Sequence, residues 1–265
     1  MNMVVHEIRQ YLKSTLIWIV SLGVIIIAFL GAYTGFSQDA DAFLKLFEGL
    51  PPEVLDALSV DLMNLASLNG YFGYIMLYIV LSLSIMGMNL GLNLYAREYT
   101  DKTADFLLTK PVTRSKVVLS KLLAGLALIL LINAAVTLSA YIVARVVEPN
   151  GFDTGIFLLI SLTALFIQLI FFSLGVLIAV ISNRIRSVVT ISISTVMAFF
   201  IASMVSNVIK EDKLRYFIPF QYFNFNEIIK SGGYDMLYVY LSLGIFAVFT
   251  AFSFFLFQRK DIHAV

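Results

Sequence analysis

Long apolar runs broken by short polar stretches dominate this chain. Six runs reach the ~20 apolar residues a helix needs to cross ~30 Å of hydrocarbon. They fall at about 15–36, 70–95, 117–144, 155–181, 187–209 and 236–257. All five prolines (Pro51, Pro52, Pro111, Pro149 and Pro219) lie between the runs, where a broken helix costs least. The pattern predicts an all-α, polytopic membrane protein with six transmembrane helices. The whole chain, 1–265, reads as one transmembrane domain.

Shorter patterns fill the gaps. Between residues 4 and 14, Val5, Ile8 and Leu12 share one helical face. This fits either an amphipathic helix lying in the membrane interface or a solvated flank of a signal anchor. Leu55, Leu58, Leu62 and Leu65 recur at helical spacing after Pro51-Pro52, which can start a helix. In 96–116, Thr100 is placed to cap a short helix over about 101–110. Pro111 stops that helix, and Thr113 can cap the next span. The short turn at 182–186 predicts that spans four and five are antiparallel neighbours. The aromatics of 210–235 fit an interfacial belt or a substrate-facing surface.

Composition sharpens this picture. Sixty per cent of the 265 residues are hydrophobic and 13% charged, half the ~25% charge of soluble domains. Mean hydropathy is +0.92. The charges are sorted: with the N-terminus inside, the inner segments hold 12 of the 18 basic residues and 5 acids, and the outer ones 6 and 12. The positive-inside rule then predicts N-in, C-in. A net charge of +1 gives no case for nucleic acid as a partner.

Several chemistries are excluded by residue type. There is no cysteine, and His6 and His263 lie near opposite ends. None of the 15 glycines precedes a lysine, so the chain has no Walker A loop and is not expected to hydrolyse ATP. No His-Glu-x-x-His or Gly-x-Ser-x-Gly motif occurs. Glu98, Asp101 and Asp105 stand among Arg97, Lys102 and Lys110, which favours solvated salt bridges over a metal site. No charge is expected deep in a span; Lys121, near the start of the third, is expected to snorkel to the interface.

Polar and small residues inside the spans are the remaining signal. Asn89, Asn93, Asn133 and Gln168 are either glue between helices or contacts along a translocation pathway, with Asn133 and Gln168 placed to pair. Ser84, Gly87 and Gly91 stripe the second span. Ser194, Ala198 and Ala202 belong to a stripe in the fifth, and Gly31 and Gly35 add a pair in the first. Small-xxx-small spacing lets helices approach closely, within one chain or between two.

The 96–121 segment resembles the permease subunits of ABC-2-type transporters. The resemblance rests on Glu98, Lys102-Thr103, Asp105, Leu107-Leu108, Pro111, Thr113-Arg114 and Lys121, in that order. Lys102 stands where many relatives have glycine. Leu50-Pro51-Pro52-Glu53, the stretch around Arg184 and Arg186, and Gln258-Arg259-Lys260-Asp261 extend it over nearly the whole chain. The resemblance implies a multi-pass permease of a bacterial plasma membrane, working as a dimer with a second copy or a similar permease. Two separate ATPase subunits would carry ATP and Mg, with no cofactor on this chain. Its coupling helix would be 101–110, and the ATPase contact would involve Glu98, Asp101, Thr103, Asp105, Leu107, Leu108, Pro111 and Arg114. Ser84, Gly87, Gly91, Ser194, Ala198 and Ala202 would face the second permease. An apolar pathway suits export of a lipid, amphipathic peptide or hydrophobic antibiotic. The alternative is a non-transporting scaffold, sensor or immunity subunit tied to an ATPase.

Overall fold

A computed structural model describes residues 3–38, 51–57, 64, 67–100, 113–182, 185–209 and 211–259. Six helices are long and apolar enough to cross a membrane: α1 (Met3–Gln38), α3 (Leu68–Thr100), α4 (Arg114–Val147), α5 (Thr154–Ile181), α6 (Val188–Ile209) and α9 (Met236–Arg259). Short helices α2 (Pro52–Ala57), α7 (Asp212–Arg215) and α8 (Phe225–Ser231), with a 3₁₀ turn at Pro219–Gln221, join them. No strand occurs among the described residues.

Local chemistry sets several helix ends. Asp153 accepts the Ile156 N–H at 3.0 Å and caps α5. The Asn224 side chain accepts the Asn226 and Glu227 N–H groups at the start of α8. Gly232, at φ 68°, ends α8 in the left-handed conformation that glycine adopts freely. Thr113 stands at the N-cap of α4 with extended backbone, but its side chain makes no capping bond. Thr100, expected to start a helix, is the last residue of α3.

Two helices form the centre. In their most apolar windows, α3 is 67% and α5 61% buried, against 11% for α9. The α3–α5 pair makes the most extensive contact in the bundle, α4 pairs mainly with α1, and α9 covers α5. α6 follows α5 in the chain but takes α3 as its main neighbour. The expectation that spans four and five lie side by side therefore needs correction. A Phe171–Phe199 ring contact at 5.8 Å is one place where they touch.

The stretch 4–14 is the beginning of α1, with no break before the span. Ile8, Tyr11 and Leu12 pack against the core. Of its apolar face, Ile8 and Leu12 are used for packing inside the chain, while Val5 is exposed.

Candidate functional site

At one end of the bundle the start of α1, the end of α3, the start of α4 and the end of α9 gather. The gap between α3 and α4 there is the segment 101–112. Asp101, Thr103, Asp105, Leu107, Leu108 and Pro111 lie outside the described residues. Glu98 and Arg114 are backbone positions in α3 and α4. The structure does describe what holds the two helix ends.

Lys121 is the centre of that junction. Its side chain is 5% exposed, and its ammonium donates to Glu7 Oε1 at 3.1 Å and to the Leu94 carbonyl at 2.7 Å. Burying a charge is tolerable only when it is paired and hydrogen-bonded. Lys121 thus departs from expectation: it does not snorkel to water but ties α4 to α1 and α3. The other carboxylate oxygen, Glu7 Oε2, is buried without a hydrogen bond. Sequence could not show this, since Glu7 is 114 residues away. Further ties surround the pair. The Tyr11 hydroxyl donates to the Asn93 carbonyl at 3.1 Å and that of Tyr95 to the Val118 carbonyl at 3.3 Å. Gln258 on α9 donates to Ser115 Oγ at 3.1 Å, and the Tyr95 and Phe257 rings meet edge-on at 5.9 Å.

The membrane amides are bonded within the chain. Asn133 Nδ2 donates to Gln168 Oε1 at 2.6 Å and to the Ile129 carbonyl at 2.9 Å, while Gln168 Nε2 lies 3.3 Å from Met86 Sδ. This pair joins α4, α5 and α3. Asn93 Nδ2 donates to Asn89 Oδ1 at 2.7 Å on the same helix.

The two stripes of small residues have different surroundings. Ser84, Gly87 and Gly91 are buried, and both glycines face α5 of the same chain. A Cβ on Gly91 would stand 2.3 Å from the Phe172 carbonyl oxygen, and one on Gly87 would stand 2.7 Å from Gln168 Cγ. Gly175 answers from α5, where a Cβ would meet the Met88 carbonyl oxygen at 2.5 Å. The close approach that Gly87 and Gly91 permit is therefore spent inside the chain, which replaces their expected place against a second permease. On α6, Ser194 and Ala198 are exposed and Ala202 is half-buried.

The aromatic segment at the opposite end is largely structural. Tyr222, Phe223 and Ile228 join the core, while Phe217 is 77% exposed. Arg215 lies 2.7 Å from Glu227 Oε2, donates to the Gln221 carbonyl at 2.9 Å, and stacks 4.3 Å from the Tyr238 ring centre. Burial, with Tyr238 nearby, pushes the Tyr222 hydroxyl up to about 12.

A family model described as ABC-2 family transporter protein matches residues 1–262. The chain belongs to that family. It is a membrane permease component of an ABC transporter and a multi-pass membrane protein. Permeases of this family normally work with ABC ATPase partners. No curated protein matches the chain.

Proposed function

We propose that this permease is one half of the translocation pathway of an ATP-driven exporter in a bacterial plasma membrane. Its termini lie inside, and it couples to two separate ATPase subunits through the 96–116 loop. ATP and Mg act on those subunits. Leu107 and Leu108 fill a groove on the ATPase; Glu98, Asp101, Thr103, Asp105 and Arg114 fix register around it, and Pro111 ends the coupling helix. A second permease packs on the small-residue face of α6 at Ser194, Ala198 and Ala202. The cargo is a lipid, amphipathic peptide or hydrophobic antibiotic.

The observation that supports this reading most is the junction at Lys121. The loop's two root helices are bound to each other and to α1 through one buried ion pair, and α9 joins at Gln258. A push on the loop is thereby delivered to four spanning helices together, as an energy-coupling element requires. Leu107→Asp should leave the permease in the membrane but remove its ATPase from affinity pull-down. Capture of the ATPase at wild-type level by that variant would contradict docking through this loop.

A further inference from the structure

An open groove of about 530 Å³ runs between α4 and α5, within the ~300–1,000 Å³ range of small-molecule sites. Its walls follow one face of each helix. Leu130, Ala134, Leu138 and Tyr141 come from α4, and Leu158 and Leu162 from α5. Asn133 and Ser161, both buried, form part of the floor. The groove exists because α4 and α5 touch far less than α3 and α5 do, and because Ala134 and Ser161 are small.

Length and charge indicate the occupant. Leu130 and Tyr141 are eleven residues apart, roughly 16 Å of helix and about half of the ~30 Å hydrocarbon thickness. The groove therefore covers one leaflet. It ends near Arg145, two residues before α4 stops at Val147. The Arg145 guanidinium spans the mouth: Nε donates to the Tyr141 hydroxyl at 2.9 Å, Nη2 donates to Thr154 Oγ1 at 3.4 Å, and the group stacks 5.2 Å from the Tyr141 and Phe152 ring centres. Both hydroxyls belong to residues lining the groove. Two acids lie at this end. Asp153 is engaged in capping Ile156, and Glu148 lies near Tyr33 of α1. Neither forms an ion pair with Arg145 among the described residues. A guanidinium with donors to spare at headgroup depth suits a phosphate.

We propose that this groove holds an acyl chain of a phospholipid from the adjoining leaflet, with the lipid phosphate on Arg145. The lipid fills the space between α4 and α5 beside the Asn133–Gln168 pair. The site is independent of what the permease transports and requires only that the chain cross the membrane.

Native mass spectrometry of the full chain, released from detergent with added dioleoyl phosphatidylglycerol, tests this. The wild type should retain one bound lipid, and dioleoylglycerol, which lacks the phosphate, should be lost. Ala134→Phe fills the groove, and Arg145→Gln removes the charge. Arg145→Gln should reduce retained phosphatidylglycerol about tenfold, the scale of one charge-assisted contact, and Ala134→Phe, by excluding the acyl chain, should reduce it at least as much. Val248→Phe, on the lipid-facing side of α9, should retain it as the wild type does. Wild-type retention by Ala134→Phe overturns the groove, and wild-type retention by Arg145→Gln overturns the phosphate contact. A disulfide between Leu158→Cys residues of two chains would give the groove to a second copy instead of a lipid.

Discussion

The second and fifth spans carry the same device, small residues four apart, and use it in different places. On α3, Gly87 and Gly91 meet α5 so closely that a single added carbon would collide with its backbone or with Gln168. On α6, Ser194 and Ala198 face outward. A small-residue stripe therefore marks a place where helices can approach, not which helix approaches. What separates the two cases is burial: α3 is the centre of the bundle, while 22% of the α6 window is buried.

The sharpest way to break this comparison is to enlarge both stripes. Gly91→Leu should prevent the α3–α5 contact and yield no folded permease. Overpacking costs about 1–3 kcal/mol even for modest insertions, and a backbone contact cannot move aside as a side chain can. Ala198→Leu should fold normally and lose pairing. Thermal unfolding in detergent, read beside size-exclusion chromatography, separates these outcomes. Equal stability of the two variants would remove the distinction.

The junction at Lys121 ranks next. Lys121→Met leaves the partly buried Glu7 carboxylate without its cation and should cost up to about 3 kcal/mol, the lower end for a buried pair. Pairing it with Glu7→Leu should recover much of the loss. Thermal midpoints of the three variants test this; a double variant no better than the single would deny the pair its role. Smaller still is the amide pair. Asn133→Leu should cost about 1–2 kcal/mol, and the companion Gln168→Leu should add little to it. Full additivity of the two would mean that the side chains act separately.

The smallest expected effect concerns pH. The Tyr222 hydroxyl is raised by burial to about 12, and in the unfolded chain it titrates near 10. Its contribution is complete below about pH 10 and is lost as pH rises towards 12, because the unfolded chain releases the proton first. The wild-type melting temperature should therefore fall more steeply than that of Tyr222→Phe over this window. Parallel curves would contradict it.

The spans were legible because twenty apolar residues in a row admit few alternatives in a membrane, and because proline avoids them. Pairing of Asn133 with Gln168 was legible for a related reason: an amide in hydrocarbon needs a partner, and few candidates exist. Which stripe faced inward was not legible, since periodicity is the same for a neighbour in the chain and a neighbour in another. Neither was Glu7, whose place in the first turns of α1 looks like an ordinary solvated flank until α4 brings Lys121 beside it. The neighbour of α6 is not legible either, because a short connection constrains where a helix starts, not which helix it leans on.

The chain contains no cysteine, so disulfide cross-linking has no background from its own thiols. Cysteines placed at Ser194, Ala198 or Ala202 on α6, and at Val248 on α9 for comparison, test the half-transporter reading directly. Oxidation should give a band holding a second permease chain from the α6 positions and none from Val248→Cys. Monomer from all three α6 positions, with a cross-link at Val248→Cys, would contradict pairing through α6.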